Sequence, residues 1–264
     1  MAFKSPKEIV QTSITAACAK VGLSTEKMLV MGFLAGAYIA LGGLLAIVVG
    51  RGVNTETLGP GVGKLIFGGV FPVGLMLVII AGAELFTGNT AVIPPGCLTG
   101  QAKWSGLAKN WGLVYVGNFV GSLFVAYFLG KATGLLATDP WLTATKGIAE
   151  AKVALSWGQA FWRGVGCNWL VCLAVWLALG ADDIGGKILG IWFPIMAFVA
   201  LGMEHSIANM FFIPLGMFHG ANVSVWQLFW NNLIPVTLGN IVGGSILVGG
   251  IYYWVYGRPE KKAA

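Results

Sequence analysis

Four side chains in this sequence of 264 residues carry ionic or acid–base chemistry where their neighbours offer almost none: Glu84, Glu204, His205 and Lys152. Glu84 is the only charge between Leu65 and Ala102, and no Asp, Glu, Lys or Arg occurs from His205 to Gly257. An ionisable group inside so apolar a run is costly unless something pairs with it, so it reads as functional or as a structural tie. The two carboxylates can accept N–H groups freed where a helix unwinds, and Asn89 and Asn209 would tie the same loops down. His205 can exchange a proton or hydrogen-bond a ligand, and Thr87 adds a hydroxyl able to donate to a small anion. Lys152 stands just before a later apolar run, where a cation at a pore mouth raises the local concentration of anions. Cys18, Cys97, Cys167 and Cys172 contain no CxxC pair and read as small helix-packing residues, so no metal and no other cofactor is expected.

Positioning these groups is the task of a membrane-spanning bundle. The chain is 57% hydrophobic and 10% charged, against about 45–50% and about 25% for ordinary soluble domains. The charge-free runs, each measured against the roughly 20 apolar residues that cross a bilayer, predict six crossings at about 28–50, 63–100, 107–133, 158–180, 187–217 and 225–257. The patch Gly220-Ala221-Asn222-Val223-Ser224 serves as the turn that divides the last run. Asn222-Val223-Ser224 also fits a glycosylation pattern, with nothing else pointing to a secretory route. Residues 1–27 form an N-terminal amphipathic segment: Ser5-Pro6-Lys7-Glu8 spells a capping box, and Ile9, Val10, Ile14, Ala17 and Val21 share a face suited to the membrane surface, with Lys20 off it. The transmembrane domain is assigned to 28–257 and a cytoplasmic tail to 258–264.

The chain repeats itself. Gly82-Ala83-Glu84 through Asn89 to Ile93-Pro94-Pro95-Gly96 and Gly202-Met203-Glu204 through Asn209 to Ile213-Pro214-Leu215-Gly216 share one pattern 120 residues apart. Trp104, Asn110, Gly117, Asn118, Val120 and Gly121 match Trp226, Asn232, Gly239, Asn240, Val242 and Gly243 at 122 residues. Two three-helix units, about 28–133 and 158–257, are therefore expected, and an odd number of crossings sets the second upside down relative to the first. The fold class expected is all-α, an inverted 3+3 repeat with the second and fifth helices broken at mid-membrane. Pro94 and Pro214, lacking an N–H, are expected to break those helices ahead of them. His205 departs from the symmetry, because its repeat partner is Leu85. Gly32/Gly36, Gly117/Gly121, Gly186/Gly190 and Gly239/Gly243 supply close-packing pairs.

With the N-terminus inside, ten basic residues fall on the cytoplasmic side: Lys4, Lys7, Lys20, Lys27, Lys103, Lys109, Lys187, Arg258, Lys261 and Lys262. Five fall outside, at Arg51, Lys64, Lys131, Lys146 and Lys152, and Arg163 heads the fourth crossing. This bias places both termini in the cytoplasm and accounts for the net charge of +6 without invoking nucleic acid. The spans hold no HExxH, no GxSxG and no pair of aspartates, which argues against an intramembrane enzyme.

Ala83-Glu84-Leu85-Phe86-Thr87-Gly88-Asn89, Ala108-Lys109-Asn110-Trp111, Tyr115-Val116-Gly117-Asn118, Cys167 to Trp176 and Glu204-His205-Ser206-Ile207-Ala208-Asn209-Met210-Phe211 resemble the formate/nitrite transporter family in order and spacing. The resemblance implies an aquaporin-like protomer, a homopentamer with one pore per protomer, and passage of small monovalent weak-acid anions: formate first, then nitrite or hydrosulfide, with acetate and lactate in the same class. It implies His205 as the central histidine, Thr87 as the loop threonine, and Lys152 with a neighbouring Asn168 in the vestibule. It also implies apolar constrictions at Phe71, Leu75 and Phe198 on the outer side and at Leu85 and Phe86 on the loop side. The anion would gather at Lys152 and Asn168, become protonated, and pass the apolar rings as the neutral acid, in a prokaryotic plasma membrane. A neutral-solute pore of the glycerol or water type is the alternative of another class. Its paired Asn-Pro-Ala loops are missing, because Asn89 is followed by Thr90-Ala91 and Asn209 by Met210-Phe211.

Overall fold

The computed structural model describes residues 3–53 and 55–258; among them all regular structure is helical apart from one isolated bridge, Phe3 to Ala181. Lys261 and Lys262, and most of the expected tail, lie outside the described residues. The helices are α1 (Pro6–Val21), α2 (Thr25–Arg51), α3 (Gly61–Gly82), α4 (Phe86–Leu98) and α5 (Trp104–Lys131), then α6 (Trp141–Val153), α7 (Trp157–Gly180), α8 (Ile184–Leu201), α9 (Ser206–Phe218) and α10 (Gln227–Gly257). Six of them, α2, α3, α5, α7, α8 and α10, are long and apolar enough to cross a membrane.

The expected crossings 63–100 and 187–217 each appear in two pieces, α3 with α4 and α8 with α9. The break falls earlier than the prolines. Gly82 (φ 90°) and Gly202 (φ 74°) take the left-handed backbone that only glycine adopts without strain, and the chain then runs extended through Leu85 and His205. Pro94, Pro95 and Pro214 sit inside α4 and α9 and break neither. At Pro94 the missing N–H frees the carbonyl of Thr90, and the Ser245 hydroxyl on α10 donates to it at 2.7 Å. A proline inside a helix is tolerated when a neighbour supplies the lost donor.

Three of the four glycine pairs set backbone contacts between helices, while Gly186 faces Asp183 at its own helix start and Gly190 faces Leu177. A Cβ on Gly36 would overlap the backbone carbonyl of Asn118, and one on Gly121 that of Phe33, so α2 and α5 touch backbone to backbone. In the second half a Cβ on Gly239 or Gly243 would meet the carbonyl of Phe161 or Val165, which gives α7 and α10 the same contact. The first and last described segments reach one face: Lys4 N–H donates to Gly180 O, and Gly257 sits against Val10. Helix α6 lies at the opposite, far face, packed on α9 through Gly216, where a Cβ would strike Ala149.

The repeat is longer than the three crossings. Helix α1 does not simply rest on a membrane surface. Its face of Val10, Ser13, Ile14 and Ala17 is buried, Ser13 Oγ donates to Val92 O at 3.1 Å, and Ala17 fills the space left by Gly96 on α4. Helix α6 is its counterpart. Lys20-Val21-Gly22-Leu23-Ser24 recurs as Lys152-Val153-Ala154-Leu155-Ser156, 132 residues on, and Ser24 and Ser156 cap α2 and α7 in the same way. The correspondence between the halves therefore extends back from 28 and 158 into α1 and α6.

Candidate functional site

Each broken crossing exposes backbone groups that need partners, and the same residue type answers in both halves. Asn118 on α5 accepts from the Phe86 N–H at 3.0 Å and donates to Gly32 O and Glu84 O. Asn240 on α10 accepts from the Ser206 N–H at 2.9 Å and donates to Gly164 O and Glu204 O. These two asparagines take the role first assigned to the glutamates. Sequence reading had placed them in the repeat without giving them one.

The glutamates instead anchor a frame of side chains. Glu84 pairs with Lys20 at 2.6 Å and accepts from Asn89 at 2.7 Å and from Asn110 at 3.4 Å; Asn110 also donates to Lys20 O. Glu204 pairs with Lys152 at 3.0 Å and accepts from Asn209 at 2.6 Å and Asn232 at 3.2 Å; Asn232 also donates to Lys152 O. Asn89 and Asn209 further donate to Asn110 and Asn232. All four asparagines and both carboxylates are buried. Each carboxylate thus has a cation and two amide donors, the condition under which a buried charge is retained.

The frames stand at opposite ends of the molecule, each beside a cavity. The far cavity, about 410 Å³, is lined by Arg51, Lys64, Phe71, Lys152, Phe198, Glu204, His205 and Phe212, among others. The termini-side cavity, about 270 Å³, is lined by Lys20, Leu75, Gly82, Glu84, Leu85 and Asn89, among others. Phe71 and Phe198 meet edge to face at 5.9 Å, and Phe198 lies 5.9 Å from the His205 ring, closing the far cavity inward. Leu75 was expected with them, yet it lines the opposite cavity together with Leu85. Phe86 lines neither cavity, because its ring packs on Trp111 and Tyr115.

Between the cavities, Thr87 Oγ1 and His205 Nε2 meet at 2.8 Å, one from each broken crossing. His205 is the N-cap of α9, and its Nδ1 accepts from the Ala208 N–H at 3.1 Å. A ring nitrogen that accepts carries no proton, so the imidazole is neutral with its hydrogen on Nε2, and Thr87 accepts from it. The Thr87 hydroxyl hydrogen then remains free to donate elsewhere. The symmetry-related positions, Leu85 and Ile207, offer no polar atom.

Asn168 has no hydrogen bond to Lys152 among the described residues. Its amide donates to Thr87 O at 3.2 Å, Thr90 Oγ1 at 2.8 Å and Asn240 O at 2.6 Å, which fixes the first loop. Its Oδ1 is buried with no hydrogen-bond partner. Among the described residues no cluster of His, Cys, Asp or Glu could hold a metal ion. Lys20 is the frame residue that sequence reading left off the apolar face of α1, although the recurring Lys-Val-small-Leu-Ser segment marks it.

A family model described as formate/nitrite transporter matches residues 7–254. A probable formate transporter of Methanothermobacter thermautotrophicus is 54% identical, over 96% of this chain and 97% of its own length. Among solved structures, an FNT family ion channel superposes with TM-score 0.86 at 34% identity, over 96% of this chain and 99% of the other. A pentameric formate channel with formate bound gives TM-score 0.77 at 34% identity, over 89% of this chain and 98% of the other.

Proposed function

The chain belongs to the formate/nitrite transporter family, and from that premise we propose that it is a channel for formate, passed as the neutral acid or with a proton. The observation that carries this reading is the buried Thr87–His205 contact set between two lysine-bearing cavities. At each cavity a lysine held by its glutamate sets ammonium N–H groups beside the path. The inner layer then offers a hydrogen-bond donor, the free Thr87 hydroxyl oriented by the His205 Nε2–H, with Asn168 Oδ1 an acceptor lacking a partner nearby. That combination suits a carboxylic acid, whose C=O accepts and whose O–H donates. The Phe71/Phe198 and Leu75/Leu85 pairs would exact a heavy desolvation cost from a bare anion and almost none from the neutral acid.

Nitrite and hydrosulfide are the next candidate substrates, since both are small and singly charged. A neutral-solute pore of the glycerol or water type is disfavoured by the lack of paired Asn-Pro-Ala loops, since Thr90-Ala91 follows Asn89 and Met210-Phe211 follows Asn209. The homopentamer is supported by the pentameric relative. The apolar side chains left exposed on the spans, such as Trp162, Phe193 and Trp226, fit contact with lipid or a neighbouring protomer. The distribution of basic residues supports both termini lying in the cytoplasm, with the far cavity outside the cell, and the membrane proposed is a prokaryotic plasma membrane.

The deciding experiment is stopped-flow formate uptake into proteoliposomes across pH, with nitrite, hydrosulfide and glycerol as competitors. Flux that rises as pH falls and is blocked by the anions but not by glycerol is the expected result. Glycerol permeation without formate flux would end the proposal.

A further inference from the structure

The two cavities share a Lys–Glu–Asn–Asn frame but differ in charge. In the termini-side cavity Lys20 and Glu84 balance. The far cavity holds Arg51 and Lys64 in addition to the Lys152–Glu204 pair, so two cations there have no carboxylate lining the same space. The repeat does not require them: the positions equivalent to Arg51 and Lys64 are Asp183, 132 residues on, and Ile184, 120 residues on.

The surroundings of Arg51 explain why it stands ready for a ligand. Gly50, where a Cβ would lie 2.6 Å from Phe67 Cβ, lets the end of α2 close onto α3. The next residue, Arg51, then lays its guanidinium over the Phe67 ring, 5.3 Å from the centroid. A guanidinium stacked on a ring has its face covered and its N–H edge free. Arg51 makes no hydrogen bond or ion pair with any described residue, and both it and Lys64 are exposed. A planar fork of donors, held flat at the mouth of a cavity that continues to Lys152 and His205, matches one class of ligand: a small planar oxyanion that accepts two parallel hydrogen bonds.

We propose that Arg51, with Lys64 beside the same opening, forms an oxyanion-capture site at the far mouth of the pore, one station before Lys152. Carboxylates and nitrite fit the fork; hydrosulfide, a single sulfur centre, cannot engage it in two bonds. The site rests on the channel reading for its purpose, but its occupancy can be measured without transport.

The test uses the wild-type protein in proteoliposomes opened to both faces, with phenylglyoxal as an arginine-selective label read by mass spectrometry. Arg258 is the internal control, because it too stacks on an aromatic ring, Trp254, at 5.8 Å, at the opposite face. Formate or nitrite is expected to slow labelling of Arg51 at least about fivefold while leaving Arg258 unchanged, and hydrosulfide is expected to protect neither. Equal protection of both arginines, or of neither, overturns the site, as does protection by hydrosulfide equal to that by formate. A parallel uptake series on Arg51→Gln and Arg51→Lys separates the two readings. Both variants should raise the apparent KM for formate supplied at the far face about three- to tenfold, with maximal flux and KM at the termini face unchanged. Lysine should fail to rescue, since it lacks the fork. Arg51 protection in a protein that passes no formate would keep the site and end the channel reading; formate flux without protection would do the reverse.

Discussion

The two halves of this molecule agree in the asparagine and Lys–Glu frames that hold each broken crossing and disagree where a permeating species would be handled. Asn118 and Asn240, Glu84 and Glu204, Lys20 and Lys152, Asn110 and Asn232 make corresponding bonds. Leu85 against His205 and Thr87 against Ile207 do not correspond, and the one polar contact between the loops uses the odd member of each pair. The contrast teaches a rule for reading such repeats. Symmetry-matched polar residues satisfy backbone and buried charge, which both halves need alike, whereas unmatched ones either tie down one half alone, as Asn168 and Ser245 do, or meet between the loops, as Thr87 and His205 do.

The largest effect should come from the matched frame. Replacing Glu204 by Leu leaves Lys152, Asn209 and Asn232 without their acceptor, and replacing Glu84 by Leu does the same to Lys20, Asn89 and Asn110. Breaking a buried ion pair from one side costs about 3–5 kcal/mol, and the two variants should lose thermal stability in detergent to a similar degree. A clearly unequal loss would break the equivalence of the halves. The unmatched layer should behave in the opposite way. Thr87→Val removes the acceptor of His205 Nε2–H and the free hydroxyl. It should cut formate flux about tenfold, with assembly and melting temperature nearly intact, because a net hydrogen bond contributes only about 0.5–1.5 kcal/mol to stability. His205→Asn should change the pH dependence of flux while assembly persists; an unaltered profile would remove His205 from proton handling.

Much of this was open to reading from residues alone. Charge-free runs marked the crossings, and the polar interruption at Glu84 to Asn89, repeated at Glu204 to Asn209, marked the breaks and the inversion. His205 stood out because its repeat partner was Leu85. Lys20 escaped for a geometric reason. Its bond to Glu84 joins the end of α1 to the middle of a crossing, and its sequence counterpart lies 132 residues away, not 120. The linker between α2 and α3 is longer than the one between α7 and α8, which shifts the register between the two searches. The resemblance supplied Asn168 and Leu75 by residue type, which does not fix facing: packing turns Leu75 to the termini-side cavity and Asn168 to the first loop. The prolines misled because their missing donor was treated as unanswered, when Ser245 answers it at Pro94.

A finer comparison concerns the two helices that carry the lysines. Helix α1 begins at a box in which Ser5 N–H and Oγ donate to Glu8, and helix α6 is capped by Asp139, which accepts from the Thr143 N–H and hydroxyl. The Ser5 donors hold the Glu8 carboxyl below its usual range, and the Thr143 donors do the same for Asp139. A carboxyl lowered in the folded state contributes stability that is present above its unfolded pKa and is lost as pH falls through the folded value. Acidification below the ordinary carboxylate range should therefore fray both helix starts and raise amide exchange in the first turn of α1 and of α6 together. The effect is the smallest expected, because both groups are solvent-exposed and each sits at least twelve residues before the lysine that seals its frame. Exchange near Lys20 and Lys152 should stay slow at pH values that free the first turns. If one helix responds and the other does not, the lysine-bearing helices are related only in sequence, and the matched frame stops at the lysines themselves.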